Sequence, residues 1–229
     1  RVLARGLWSQ HRSFGPDGNW QCGARDESGQ VFEVLYQGES VGQVNWSLTG
    51  THNINNALAA IAAAHAIGLE PARAIAALAL FQGIRRRMEL RGEINQIRVY
   101  DDFAHHPTAI ATTLDGLRKQ VGNARIIAVL EPRSNTMKLG TMAARLPEAL
   151  KEADLAFCFG ETHGKHALGW VPEDIFGEDA AKVQTFHDLE ALRERICQVA
   201  QPGDHVLIMS NGSFGGLHGK LLDSLKQSS

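Results

Sequence analysis

From about residue 95 onward the chain alternates short apolar runs with amphipathic ones, and this alternation restricts the fold more than any other feature. "QIRVYDD" (96–102), "ARIIAVLE" (124–131), "DLAFCFG" (154–160), "KVQTF" (182–186) and "DHVLIMS" (204–210) read as strands. "PTAIATTLDGLRKQV" (107–121), "KLGTMAARLPEALKEA" (138–153), "DLEALRERICQVA" (188–200) and "GGLHGKLLDSLKQ" (215–227) read as helices. Strands that alternate with helices imply crossover connections, hence a mostly parallel, Rossmann-like α/β sheet with helices on both faces. Ligands of such sheets bind outside the carboxyl ends of the strands. That rule selects three stretches: "DDFAHHP", "EPRSNT" and "SNGSFGG".

The first part of the chain has a different grammar. "WQCGARDESGQVFEVLYQGESVGQVNWSLTG" (20–50) alternates polar and apolar residues around turn signals at "ESGQ" and "QGES", as short strands do. "NINNALAAIAAAHAIG" (53–68) and "EPARAIAALALFQG" (70–83) read as two helices, each ended by a glycine. Both are apolar on most faces, so both are expected to be largely buried. A boundary near residue 83 therefore separates domains 1–83 and 84–229. Arg1 and "RVLARGLWSQHRSFGPDG" offer neither an initiator Met nor a clear element, so the chain is expected to be a fragment of something longer.

Composition excludes some classes. The formal net charge is -2, from 23 basic and 25 acidic residues, which gives no argument for a nucleic-acid partner. No apolar run reaches the ~20 residues of a bilayer span, and no signal peptide opens the chain, so no membrane partner is expected. Cys22, Cys158 and Cys197 are odd in number and widely spaced, as expected of buried thiols in a reducing cytoplasm.

Each polar cluster has two readings. In "GTHNINNALAA" (50–60) Asn53 and Asn56 share a helix face and can meet a heterocycle edge, or Thr51 or Asn53 caps the helix. "GIRRRMEL" (83–90) can grip phosphate or lie as a solvated stripe. In "DDFAHHP" a carboxylate can accept ribose hydroxyls and an imidazole can meet a base; capping and packing also account for it, and a metal needs more converging ligands. Arg133, Ser134, Asn135 and Thr136 form a donor-rich set that suits a carboxylate, or a turn with a surface arginine. "SNGSFGGLHGK" (210–220), with Asn211 and Gly212, is a Gly-rich strand-to-helix turn of the kind that binds anions. It is not G-x-G-x-x-G, and "GETHGKH" (160–166) is one residue short of a P-loop, so neither is a nucleotide fingerprint.

The combination of "GTHNINNALAA", "RRRMEL" and "YDDFAHHPTAI", in that order, resembles the Mur ligases, ATP-dependent amide-forming enzymes of bacterial cell-wall synthesis. The resemblance spans nearly all of residues 45–226. It implies the end of a central ATPase domain followed by a whole Rossmann-like C-terminal domain, with the P-loop lying outside this chain. It further implies that Asn53 and Asn56 meet adenine, Arg87 reaches the ATP phosphates, Asp102 binds ribose and His105 lies beside the nucleotide. Arg133, Ser134 and Asn135, with Asn211 and Gly212, would meet the incoming amino component. "EPRSNTMKLG" and "IMSNGSFGGLHGKLL" are most similar to the branch that joins UDP-N-acetylmuramate to L-alanyl-γ-D-glutamyl-meso-diaminopimelate. The branch that adds L-alanine has a His-Arg-Tyr run in place of "PRSN". ATP and Mg²⁺ are the implied cofactors, the latter held mostly by the missing N-terminal part. The implied partners are the UDP-sugar, the peptide and the remainder of the same chain. A non-catalytic α/β ligand-binding module remains the alternative from another class, and a dinucleotide oxidoreductase lacks its glycine fingerprint.

Overall fold

A computed structural model describes residue 6 and residues 8–81, 83–164, 167–177 and 182–227. The chain divides into two compact units, Arg1–Gly83 and Ile84–Ser229.

In the first unit, strands β1 (Trp20–Arg25), β2 (Val31–Tyr36) and β3 (Glu39–Asn45) form an antiparallel meander. Gln37 and Gly38 both have positive φ (54° and 88°), the geometry that a two-residue hairpin loop requires. Helices α1 (Thr51–Ala66) and α2 (Pro71–Leu78) pack with this sheet around Trp20, Phe32, Val34, Leu58 and Ile61. Trp20 stacks on Tyr36 at 4.4 Å between ring centroids. The two helices are less buried than their composition suggests. α1 buries one stripe (Ile54, Ala57, Leu58, Ile61, Ala62) and α2 only Ala74 and Ile75. Alanine is apolar without demanding burial, so Ala-rich faces tolerate solvent. α2 also stops before Gly83, leaving Leu80 and Phe81 exposed.

The second unit holds a six-stranded sheet in the order β4-β5-β9-β6-β7-β8: β4 (Glu89–Ile94), β5 (Ile97–Asp102), β6 (Ile126–Leu130), β7 (Leu155–Phe159), β8 (Val183–Phe186) and β9 (His205–Met209). All neighbours pair in parallel except β4, which joins the edge of β5 antiparallel. Side chains alternate across the sheet. Tyr100, Ala128 and Leu207 face α3 (Pro107–Val121), α5 (Leu146–Ala149) and α6 (Pro172–Phe176). Val99, Val129 and Val206 face α7 (Leu189–Val199) and α8 (Leu217–Gln227) on the other side.

Two sequence expectations change. β4 emerges from the basic run, turned back on β5 by Asn95 and Gln96, both at positive φ. The helix expected over 138–153 is broken into α4 (Asn135–Lys138), a 3-10 turn (Ala143–Arg145) and α5. Gly140 sits at φ 74°, where a helix cannot continue, and Trp170 packs against it. Pro147 then starts the next turn. All three cysteines are free; only Cys158 is fully buried, and burial pushes its thiol well above the ordinary range.

The position of β9 creates the site. The chain leaves β9 toward the α8 face, whereas it leaves both neighbours, β5 and β6, toward the α3 face. Connections that diverge to opposite faces open a crevice at the carboxyl edge.

Candidate functional site

The carboxyl edge of the second unit gathers three of the segments singled out in the sequence. At the end of β5, Asp102 is 2% exposed. Its carboxylate accepts the Met88 N–H (2.8 Å), the Ala104 N–H (2.7 Å) and the Thr113 hydroxyl (3.4 Å). A carboxylate has about four acceptor positions, so these donors use most of them. Asp102 thus builds the turn that presents Phe103 and His105.

Phe103 is the centre of a cationic cluster. The guanidinium carbons of Arg86 and Arg87 lie 5.2 and 5.7 Å from its ring centroid, within cation–π range. His105 meets the same ring edge-on at 5.3 Å, and its Nδ1 lies 2.8 Å from the Phe103 carbonyl oxygen. His106 occupies the N-cap position of α3 without a side-chain cap bond. Arg87 is exposed. Arg86 is turned inward: its Nη2 donates to the carbonyls of Ser210 (2.6 Å) and Gly212 (2.5 Å), and its Nε to Asp101 (3.4 Å). Adjacent arginines in one run therefore do different work, one tying the edge together and one exposed at the surface with no ion pair among the described residues.

Asp101 lies on the opposite face of β5, 3.3 Å from His218 Nε2 on α8. Burial, together with Arg91 and Arg86, holds the His218 imidazole below its ordinary value, against the pull of Asp101.

At the end of β6, Arg133 is half-buried, with Nη1 3.9 Å from Glu131. Its guanidinium lies on Gly212: a Cβ placed there would clash with Nη1. Ser134 caps α4 through its hydroxyl, which accepts the Met137 N–H at 3.3 Å, and Asn135 is exposed in the first turn. On the β9 exit, Asn211 Oδ1 is buried and has no hydrogen-bond partner among the described residues. Arg133 also lines a crevice with Glu131, Phe159, Gly160 and Leu168. The end of the "GETHGKH" stretch, residues 165 and 166, lies outside the described residues.

The amide pair belongs to the first unit. Gly50, not Thr51 or Asn53, occupies the cap position of α1. Asn53 donates to the Thr49 carbonyl (2.8 Å), and the exposed Asn56 amide makes no hydrogen bond among the described residues. Among the described residues no group of three or more His, Cys, Asp or Glu side chains is placed to hold a metal ion, and no helix is long and apolar enough to cross a membrane.

Sequence reasoning passed over Arg86, Phe103, Glu131 and Ser210. All four lie in the quoted motifs; what was missing was their adjacency across strands far apart in sequence.

Comparison with known proteins gives a consistent result. The family profile for "Mur ligase, glutamate ligase domain" matches residues 86–212. The chain is 49% identical, over 98% of its length, to the UDP-N-acetylmuramate–L-alanyl-γ-D-glutamyl-meso-2,6-diaminoheptandioate ligase of Escherichia coli, of which it covers 49%. It is 40% identical to a solved murein peptide ligase from Psychrobacter arcticus, with a TM-score of 0.74 over 98% of this chain and 48% of that one. A solved domain of a ligase from Haemophilus ducreyi, named in the same way but as putative, is 44% identical, with a TM-score of 0.51; 99% of it is matched by 61% of this chain. The chain spans about half the length of the curated relatives it matches.

Proposed function

Because the chain belongs to the Mur ligase family, we propose that it forms the carboxyl-terminal half of an ATP-dependent ligase acting in peptidoglycan recycling. The enzyme joins UDP-N-acetylmuramate to L-alanyl-γ-D-glutamyl-meso-diaminopimelate. The observation that carries the choice of a peptide is Arg133, a guanidinium backed by Glu131 and seated on Gly212 at the carboxyl edge. A guanidinium held this way recognises a carboxylate in a fixed geometry, and the tripeptide carries several. Ser134, Asn135, Asn211 and Gly212 complete the peptide-docking edge.

Asn53 and Asn56 meet adenine, and Arg87 meets phosphate. His105 lies against the nucleoside on the turn that Asp102 builds. A direct ribose contact by Asp102 would compete with the Met88, Ala104 and Thr113 donors for the same carboxylate. Phosphoryl transfer from ATP to the muramoyl carboxylate gives an acyl phosphate and ADP. The free L-alanyl amine then attacks the acyl carbon, and phosphate leaves as the amide forms. Arg87 offsets phosphate charge in the first step, and Arg133 orients the nucleophile in the second. Mg²⁺ neutralises phosphate charge when bound. Following the family resemblance, we assign most of its protein ligands to the rest of the ligase. ATP and UDP-linked precursors place the reaction in the cytoplasm.

The test uses the ligase that carries this chain. It should form UDP-muramoyl tripeptide with ATP, and should use the tripeptide in preference to L-alanine. Arg133→Ala should cost about 2–4 kcal/mol in kcat/KM for the tripeptide and leave the KM for ATP near wild type. Preference for L-alanine would favour the L-alanine-adding reading. Robust turnover by residues 1–229 alone would contradict the division of the active site across the longer chain.

A further inference from the structure

Glu131 is a carboxylate 6% exposed at the end of β6, and it touches neither substrate nor nucleotide in the reaction above. Its surroundings give it a task. Glu131 extends the β6–β9 pairing, its N–H donating to the Met209 carbonyl (3.0 Å). One carboxylate oxygen accepts the Ser210 hydroxyl, and the other faces Arg133 at 3.9 Å. The Ser210 hydroxyl in turn accepts the Gly212 N–H at 2.8 Å. Ser210 is 1% exposed, and its backbone is tied to the other neighbouring strand: its N–H donates to the Asp102 carbonyl (3.1 Å), and its own carbonyl accepts from Arg86. Gly212 is thereby pinned through its N–H by Ser210 and through its carbonyl by Arg86. The Arg133 guanidinium lies across the Gly212 Cα, in the space a side chain would fill. Gly212 does not have a positive φ, so its lack of a side chain answers to this contact rather than to backbone strain.

We infer that Glu131 and Ser210 are positioning residues, and Gly212 the seat, for the guanidinium of Arg133. The inference rests on the reading of Arg133 as the ligand of a peptide carboxylate. It deepens that reading by making peptide specificity depend on a buried hydrogen-bond frame rather than on the arginine alone. A long side chain loses rotamer freedom on binding; a frame that fixes it beforehand removes that cost from the substrate. The frame also spans from β5, which carries the nucleotide-side residues, to β6, which carries the peptide side.

Two measurements test this. In the ligase that carries this chain, Ser210→Ala and Gly212→Ala should each raise the KM for the synthetic tripeptide about tenfold while kcat and the KM for ATP stay within about twofold. Made in an Arg133→Ala background, neither should raise it further, because both act through Arg133. An equal increase in both backgrounds, or no increase in the wild type, overturns the inference. The second measurement needs no substrate. In the 229-residue chain, the Arg133 Nε–H resonance, assigned by its loss in Arg133→Ala, should show a rigid side chain by ¹⁵N relaxation. Gly212→Ala or Ser210→Ala should make it mobile. If the wild-type ligase rejects the tripeptide while this ordering is lost as expected, the assigned substrate fails and the frame stands. If Arg133 is already mobile in the wild type, the frame fails.

Discussion

A carboxylate that accepts two backbone N–H groups in a buried turn holds that turn together whatever else it binds. Asp102→Ala should therefore orphan the N–H groups of Met88 and Ala104 and lower the stability of the 229-residue chain by about 2–4 kcal/mol in urea unfolding. Asp102→Asn keeps one acceptor oxygen and should cost about half of that. The KM for ATP should rise in step with the stability loss, because Phe103 and His105 lose their seat; a stable Asp102→Ala protein would remove this role. A second residue, His205 on β9, is buried with Nδ1 3.1 Å from the Tyr100 hydroxyl. Burial, then Arg98, depresses its pKa below the ordinary 6.5. The unfolded chain consequently takes up the proton first. Stability is full above about pH 6.5 and falls as pH drops from there toward the lowered native value, by at most about 1.4 kcal/mol per pH unit for one proton. Chemical unfolding from pH 7.5 to 5 should show this loss, with a shallower slope in His205→Gln. Equal slopes in the two proteins would assign the loss to other groups.

At the scale of elements, legibility followed burial. The parallel strands β5, β6, β7 and β9 are largely buried on both faces, so they stood out in the sequence as apolar runs, and α3 began at Pro107 and ended before Gly122 as its end signals indicate. β4 was missed because it is an edge strand carrying Glu89, Arg91 and Glu93, with no apolar run to mark it. The broken stretch after β6 was misjudged because what stops the helix is Gly140 packed on Trp170, a partner thirty residues further on. The candidate site shows the same split. Arg133 and Asp102 lay in recognisable motifs, and their placement at strand ends followed from the alternation. Ser210 as the partner of Glu131 required β9 to lie beside β6, and chain order gives no sign of that.

For the whole molecule, the two units have separate cores, and the solved Haemophilus ducreyi domain matches only 61% of this chain. Residues 84–229 expressed alone should give one cooperative urea transition; a gradual, non-cooperative loss of signal would show that this unit depends on the first. The strand order has a consequence for how such a unit is made. Among the described strands β9 comes last in chain order, yet among the described residues it alone links β5 to β6. Until residues 205–209 emerge, the nascent sheet exists as two pieces, each with an unpaired edge of apolar strand. Those edges are hazards for aggregation during the interval. The two pieces join in one event, when β9 slots between them and closes both edges at once. Synthesis that halts just before β9 should yield insoluble chains, whereas synthesis that halts after it should yield a sheet already closed.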